Sequence, residues 1–182
     1  GRLRGKAPAE FYGTGGGVRA MATGIRHNSK FAGYKIAEGI DVSKYNRTIN
    51  WAAVKRAGID FAFVRTCYRG YGKAGNLADD PYAAANLKNA AAAGVKVGAY
   101  IFSQAITVKE AQEEADYLLN SVKGYKITMP LVFDFEYFEG GRLHTAKLSK
   151  RVKTDICLAF CERVKAAGYT PLVYANKSML TS

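Results

Sequence analysis

The spacing of hydrophobic residues changes near residue 39. Beyond this point, short apolar runs of strand length alternate with longer segments of helical period, which is typical of repeated strand–helix units around a parallel sheet. Five strands are predicted, at 39–42, 59–65, 95–102, 130–136 and 171–175. We therefore expect an α/β protein with about five βα units.

Helix start and stop signals separate these strands. Proline at 81 suits the first turn of a helix, and Thr107 with Glu110 forms a capping box. Glycine follows three of the helical segments, at the position where helices commonly end. The predicted helices run from Asn50 as N-cap to 57, from 81 to 93, from Thr107 to about 122 and from about 145 to 167, and Asn176 is placed to cap another.

Residues 1–38 show no sustained hydrophobic period and contain the stretch GTGGG. This stretch lacks the Gly-Lys-Ser/Thr of a phosphate-binding loop, so we interpret it as a flexible spacer. Seven Lys or Arg and two Glu give the segment a net charge of +5, out of +12 for the chain. We therefore predict a basic, glycine-containing extension or linker at 1–38 and a folded domain at 39–182.

The excess of 27 Lys and Arg over 15 Asp and Glu favours an extended anionic partner: nucleic acid, an acidic membrane surface or an acidic cell wall. No recognition helix, zinc-finger spacing or RNA-binding motif is present, which argues against nucleic acid. The apolar runs are far shorter than the ~20 residues that cross a bilayer, so we expect no membrane span. Charge alone does not choose among the remaining surfaces.

The cysteines and histidines give little support for a metal or redox site. Three cysteines are too few for a disulfide framework, and Cys157 and Cys161, one helical turn apart, are interpreted as small buried hydrophobic residues. The two histidines, His27 and His144, offer few zinc ligands. We expect no metal and no cofactor.

Polar side chains are concentrated at the ends of the predicted strands, where parallel strand–helix folds place their functional sites. Every one of the five strands contributes at least one such residue. They are Asp41 on the first strand, Arg65 and Tyr68 on the second, Tyr100, Ser103 and Gln104 on the third, Asp134 and Glu136 on the fourth, and Tyr174 on the fifth.

Asp134 and Glu136 in the stretch PLVFDFEY are the strongest candidates for chemistry. Side chains at i and i+2 of a strand share one face, roughly 6–7 Å apart. In an apolar setting with a second carboxylate nearby, one of two acids keeps its proton, as a general acid must. The alternative is a charged pair on an exposed edge strand, or a structural pair neutralised by Arg or Lys. For Asp41, followed by Ser43 and Lys44, a turn-forming role is equally plausible.

Tyrosine occurs twelve times, and five of these residues lie near predicted strand ends. Sugars stack well on such rings, but aromatic side chains at the mouth of a barrel can equally be ordinary packing. Both interpretations stay open for each of these tyrosines. They are Tyr68, Tyr71, Tyr100, Tyr137 and Tyr174.

Four stretches together resemble the family 25 glycoside hydrolases, a family of lysozymes. GIDVSKYN matches the pattern of the first strand in that family, and FDFEY matches the Asp-x-Glu of the fourth. The tract DDPYAAANLKNAAAAGVKVGAYIFSQA and the fifth-strand stretch GYTPLVYAN match as well, in the expected order. The resemblance covers about residues 38–182, and it is the combination of motifs that makes it specific.

The resemblance implies a TIM-like (β/α)5(β)3 barrel and cleavage of the β-1,4 bond between N-acetylmuramic acid and N-acetylglucosamine. Glu136 then corresponds to the general acid, Asp134 to the neighbouring carboxylate and Asp41 to a third acid that arranges the site. The expected substrate contacts are Tyr68, Tyr100, Tyr174, Arg65 and Tyr137. The implied partner is bacterial peptidoglycan, and the implied location is secreted or associated with the cell wall.

The family pattern continues with further strands that these 182 residues do not include, so we expect a catalytic domain at 39–182 that is incomplete at its C-terminus. We expect the N-acetyl group of the substrate, oriented by Asp134, to assist the reaction. The alternative functions are a cell-wall glycan-binding module without catalysis and an inactive truncated fragment.

Overall fold

The computed structural model describes residues 29–31, 33–34, 37–177 and 179. The predicted extension at 1–38 therefore falls largely outside the described residues and stays a prediction. Besides two short 3-10 helices, at Ser29–Phe31 and Lys44–Asn46, the described elements are β1 (Gly39–Val42), α1 (Trp51–Arg56), β2 (Phe61–Arg69), β3 (Leu77–Asp79), α2 (Ala83–Ala92), β4 (Lys96–Ser103), α3 (Val108–Ser121), β5 (Leu131–Phe135), α4 (Arg142–Thr145), α5 (Lys150–Ala166) and β6 (Pro171–Tyr174).

One sheet organises the described part of the chain. Its strands follow the order β1-β2-β4-β5-β6, all parallel, and the short β3 pairs antiparallel with β2. The five predicted strands are thus present, each joined to the next by a helical connection. The α/β class and the strand–helix repeat are confirmed.

The sheet packs one face against the helices. Phe133, Phe135 and Ile101 point from β5 and β4 into a core with Phe160 of α5 and Leu118 of α3, and all five are almost completely buried. A second core forms where β1 and β2 meet α1 and α2. Burial of each such side chain contributes roughly 1.5–3 kcal/mol, so this face provides most of the stability of the fold.

The opposite face of the sheet is concave and lined with aromatic and charged side chains. At its base, glycines leave room for two phenylalanine rings. A Cβ atom at Gly39 would collide with the ring of Phe61, and one at Gly98 would lie 2.5 Å from the ring of Phe63. The two rings meet edge to face, 5.7 Å apart, and form the floor of the concave face.

A β-bulge in β2 determines which side chains reach this concave face. Arg65 pairs with Tyr100 and Cys67 pairs with Ile101, which leaves Thr66 as an extra residue between them. Thr66 and Cys67 both point toward the helices, so that Arg65 and Tyr68 share the concave face. In a regular strand, residues three apart would lie on opposite faces.

The prediction that strand two ends at 65 was wrong. β2 continues to Arg69, because β3 folds back and pairs with its last residues, Cys67 opposite Asp79 and Arg69 opposite Leu77. A three-residue strand within a loop gives too short a pattern to detect from spacing.

The predicted start of the long helix of the fourth unit, at about 145, was also wrong. Lys147 has φ 46, a left-handed conformation that interrupts a helix, so a short helix α4 ends at Thr145 and the long helix α5 begins only at Lys150. Ser149 caps α5 by accepting a hydrogen bond from Val152 N at 3.3 Å. The caps at Asn50, Thr107 and Asn176 are confirmed, with N–H to side-chain oxygen distances of 3.0, 3.2 and 3.0 Å. Among the described helices, none is long and apolar enough to cross a membrane.

Candidate active site

A cavity of about 580 Å³ occupies the concave face and is referred to here as the main cavity. The three predicted catalytic acids all line it, although they come from distant parts of the sequence. The lining residues are Asp41, Ser43, Tyr45, Asn46, Phe63, Arg65, Tyr100, Phe102, Val132, Asp134, Glu136, Leu172 and Tyr174.

Strand pairing arranges these side chains in rows. Asp134 pairs with Phe102 on one side and with Tyr174 on the other, while Val132, one row deeper, pairs with Tyr100 and Leu172. Tyr100 therefore lies in the middle of β4, deeper than predicted, although it lines the cavity as expected. Parallel pairing in register brings together residues more than 30 positions apart in the sequence.

Asp134 and Glu136 lie on the same side of their strand, as their spacing predicted. Phe133 and Phe135 alternate with them and point into the helix-side core. Glu136 follows the last residue of β5 and has 7% of its surface exposed. β5 lies between β4 and β6, so the interpretation of the two acids as residues of an exposed edge strand is wrong.

Tyr100 reports the electrostatic character of the main cavity. Burial raises the pKa of its hydroxyl well above the ordinary value, and the negative charges of Asp41 and Asp134 raise it further. Arg65 acts in the opposite direction. The phenol therefore stays neutral and can donate a hydrogen bond in a cavity rich in carboxylates.

Arg65 is held by an ion pair beside the catalytic candidates. Its Nε and Nη2 atoms lie 2.9 and 2.8 Å from Asp80 Oδ2, and the Asp80 carboxylate is fully buried. The same oxygen accepts a hydrogen bond from Lys44 N at 2.8 Å, which fixes the segment after β1 next to β2. Asp80 was not predicted as a site residue, because its role depends on the return of the chain along β3.

A second cavity of about 280 Å³ adjoins the first and is called the side cavity. Glu136, Arg65, Tyr45 and Phe102 line both, so Glu136 lies where the two cavities meet. The other residues of the side cavity are Lys44, Tyr68, Tyr71, Tyr137, Phe138 and Glu139.

Aromatic rings dominate the walls of the side cavity. Tyr71 and Phe138 stack with centroids 4.2 Å apart and an angle of 14° between the rings. Lys44 Nζ lies 4.9 Å from the Tyr68 centroid, and the Arg65 guanidinium carbon lies 5.4 Å from it. Stacked rings with cations nearby suit sugar rings that carry anionic substituents.

The structure divides the predicted substrate contacts between the two cavities. Tyr100 and Tyr174 line the main cavity, Tyr68 and Tyr137 line the side cavity, and Arg65 belongs to both. Aromatic residues that the sequence analysis did not consider are Tyr45, Phe102 and Phe138, whereas Tyr71 was considered as one of five tyrosines near strand ends. The position of Phe102 two residues after Tyr100 on one strand was a signal that could have found it. In the described residues, no group of three or more His, Cys, Asp or Glu is placed to hold a metal ion.

Comparison with known sequences decides the family. The sequence model described as Glycosyl hydrolases family 25 matches residues 40–182, most of the chain. The chain belongs to glycosyl hydrolases family 25. The resemblance noted in the sequence is thereby confirmed, and the parallel strand–helix sheet is the fold expected of this family.

Several known proteins resemble the chain over part of their length. Lysozyme M1 of Streptomyces globisporus is 34% identical over 122 residues, which are 65% of this chain and 39% of that protein. The bacterial lysozyme from Streptomyces coelicolor superposes with a TM-score of 0.66 at 29% identity, over 81% of this chain and 66% of that one.

The modular autolysin LytC from Streptococcus pneumoniae, in complex with a synthetic peptidoglycan ligand, has a TM-score of 0.64 at 23% identity. The match covers 79% of this chain and 33% of that one. The chain thus spans between a third and two thirds of the length of these relatives.

Proposed function

We propose that this chain carries the active centre of a peptidoglycan hydrolase that cleaves the β-1,4 bond between N-acetylmuramic acid and N-acetylglucosamine. The observation that carries the proposal is the position of Glu136, at the meeting point of two cavities and beside Asp134 and Asp41. A glycan that extends through both cavities would present a linkage to this carboxyl group. The domain at 39–182 is proposed as the catalytic domain.

Glu136 acts as the general acid in this proposal. Its carboxylic acid donates a proton to the bridging oxygen while the C1–O bond of the muramic residue breaks and the carbonyl oxygen of its N-acetyl group bonds to C1. Water then attacks C1, displaces that carbonyl oxygen and gives a proton to the Glu136 carboxylate. The acid is thereby restored for the next cycle, and the configuration at C1 is retained.

Asp134 and Asp41 assist from inside the main cavity. Asp134, on the same strand face as Glu136, accepts a hydrogen bond from the N–H of the N-acetyl group and orients its carbonyl oxygen toward C1. Its negative charge also stabilises the cationic ring that forms when that oxygen attacks. Asp41 and the neutral hydroxyl of Tyr100 fix the sugar at the floor of the cavity.

Different aromatic residues contact different sugars of the glycan. Tyr174 and Tyr100 contact the sugar whose bond is cleaved, while Tyr68, Tyr137 and the stacked pair Tyr71–Phe138 support the sugars on the other side of Glu136. Arg65, held by Asp80, bonds polar groups of the glycan where the cavities meet. The net charge of +12 supports binding to an anionic wall and a location at the cell surface.

Hydrolysis of purified peptidoglycan tests the proposal, with new reducing ends as the measurement. Glu136→Gln removes the proton donor and keeps the shape, so we expect a loss of about 10²–10⁴-fold in kcat. Glu162→Gln, a change on the exposed surface of α5, is the matched control and keeps full activity. The anomer first released is expected to be the retained one, and net inversion would exclude the N-acetyl route.

Two results would contradict the proposal. Equal activity in Glu136→Gln and the parent protein would show that Glu136 is not the general acid. Sedimentation of the parent protein with insoluble peptidoglycan, without any new reducing ends, would instead show a glycan-binding module.

A further inference from the structure

A buried polar network lies next to the main chain of Glu136. It consists of Gln104, Arg142, Glu110, Arg69 and Glu114. These side chains connect the end of β4 and the start of α3 with the loops that follow β2 and β5. None of the five was predicted as a site residue, although Gln104 was noted among the polar residues at strand ends.

Gln104 makes direct contact with the main chain of Glu136. Its side chain is 0% exposed, and its Nε2 atom donates hydrogen bonds to Ser103 O at 2.8 Å and to Glu136 O at 3.3 Å. Its Oε1 atom accepts a hydrogen bond from Leu143 N at 3.3 Å. One amide group thus joins the residue that carries the proposed acid to the first turn of α4.

The position of these bonds in the sheet explains their importance. Backbone pairing between β4 and β5 ends at Ser103 opposite Phe135. Gln104 and Glu136 are the next residues on the two strands, so the side chain of Gln104 continues the pairing by one residue, past the point where the backbone ladder stops. Without it, the backbone ladder would hold β5 only up to the residue before Glu136.

Arg142 fixes the main chain of Gln104 in turn. Its Nη1 atom donates to Gln104 O at 3.1 Å, its Nη2 atom donates to Glu110 Oε1 at 2.7 Å, and its own N–H donates to Tyr71 O at 3.0 Å. Burial opposes ionisation of Glu110, but the hydrogen bonds from Arg142 and from Ile106 N, together with the charges of Arg142 and Arg69, outweigh it and lower the pKa of Glu110. The guanidinium therefore has a permanently charged partner at neutral pH.

A second layer holds the loop after β2 against this arginine. Arg69 Nε donates to Glu114 Oε1 at 2.6 Å, and its Nη1 atom donates to Gly75 O at 2.8 Å. Gly75 has φ +57, and a Cβ atom there would lie 2.6 Å from Arg142 Nη1. The close approach of Gly75 packs this loop, which also carries Tyr71 of the side cavity, directly on Arg142.

Replacement of buried ion pairs by hydrophobic residues of similar volume is often neutral for stability, so a buried network of this kind is weak evidence for a purely stabilising role. Gln104 links the network to the segment that carries Glu136, through its bonds with Glu136 O and Leu143 N. We propose that Gln104, backed by Arg142, is a positioning residue that holds the Glu136 carboxyl group at the meeting point of the two cavities. The inference rests on the proposed function, and the experiment below distinguishes the failure of one from the failure of the other.

Gln104→Met keeps the length of the side chain and removes all of its hydrogen bonds. Misplacement of a catalytic group by about 1 Å can cost 10²-fold in rate, so we expect kcat to fall about 10–100-fold with KM changed less than threefold. Gln112→Met, the same substitution on the exposed face of α3, is the control and leaves both constants unchanged. Unchanged kcat in folded Gln104→Met protein would overturn the proposal.

Gln104→Glu tests the role of the hydrogen bond that the Gln104 side chain donates. It also provides a test of the proposal if Gln104→Met does not fold. The ionised carboxylate cannot donate to Glu136 O, whereas the protonated form can. We therefore expect the deficit in kcat relative to the parent protein to shrink as the pH falls toward the pKa of the new side chain, ordinarily ~4.3. A deficit that is the same at every pH would indicate a merely structural role and contradict the positioning role.

Amide hydrogen exchange of residues 136–143 separates the two proposals. Gln104→Met should speed exchange in this segment, which includes the N–H of Leu143, and Gln112→Met should not. If the parent protein hydrolyses no peptidoglycan, the proposed function fails, but faster exchange would still support the positioning contact. Equal exchange in the three proteins would overturn it whether or not the parent is active.

Discussion

Strand β5 lies between the helix-side core and the cavities. Its side chains alternate between the two, so that apolar residues enter the core and acidic residues enter the cavities. Phe133 and Phe135 point into the core under α3 and α5, whereas Asp134 and Glu136 point into the cavities. Desolvation of the two acids is unfavourable, and the apolar contacts on the other face offset it. The comparison shows that one strand can provide stability and chemistry at once, because each is confined to its own face.

Truncation of one phenylalanine on each face of the sheet tests most directly whether the two faces have different roles. Phe133→Ala removes a ring that is 0% exposed, and we expect the free energy of unfolding to fall by about 3–5 kcal/mol. Phe102→Ala, the matched change on the half-buried cavity face, should cost well under half as much and should weaken substrate binding instead. Urea unfolding and KM measure the two effects, and equal losses of stability would show that the faces are not specialised.

The helix side of the sheet is not uniformly apolar, because it also contains the buried carboxyl group of Glu114. The effect of this group on stability can be tested by varying the pH. Burial raises the pKa of Glu114 from 4.5 to about 7, although Ser103 and Arg69 act in the opposite direction. Because the pKa of Glu114 is higher in the folded state than in the unfolded state, the contribution of Glu114 to stability is fully present below pH 4.5 and is lost as the pH rises through 7.

Between pH 5 and pH 8 we therefore expect Glu114 to lower the free energy of unfolding by roughly 1–3 kcal/mol. Glu114→Gln should remove this decline. Glu113→Gln, a neutralisation of the exposed neighbouring residue, should keep it. Urea unfolding at the two pH values measures the difference, and an identical decline in Glu114→Gln would show that titration of Glu114 is not its cause.

The smallest effect is expected at the rim of the side cavity. Phe138 is 46% exposed, so Phe138→Ala should change the free energy of unfolding by about 0.5 kcal/mol or less. Loss of the stacking platform should raise KM for peptidoglycan fragments about three- to tenfold with little change in kcat. Leu158→Ala, at a residue of α5 that is 52% exposed, is the control. No change in KM would place the glycan elsewhere.

Much of this arrangement could be predicted because it depends on local pattern. The strands follow from short apolar runs, the caps at Asn50 and Thr107 from single residues, and the shared face of Asp134 and Glu136 from the period of a strand. The grouping of Asp41 with these acids needed one further step, the rule that parallel strands bring their ends together. That rule holds for residues far apart in the sequence.

The rest depends on contacts that spacing does not encode. The bulge at Thr66 and the left-handed Lys147 are single-residue departures from a regular period, and the second of them moved a predicted helix boundary. The partner of Arg69 is Glu114, 45 residues away, and nothing in either residue's neighbourhood indicates a buried ion pair. Gln104 was visible as a polar residue at a strand end, but its contact with Glu136 exists only in the folded chain.

The bulge in β2 also determines how the length of this strand can vary among related proteins. Thr66 is the extra residue, so its deletion would leave Arg65 and Tyr68 toward the cavities and Cys67 and Arg69 toward the helices. Deletion of Arg65 or Tyr68, the nearest residues that face the cavities, would instead remove a site residue. We therefore expect a gap in the alignment of β2 to be tolerated at Thr66, where the chain can shorten without turning any other side chain over.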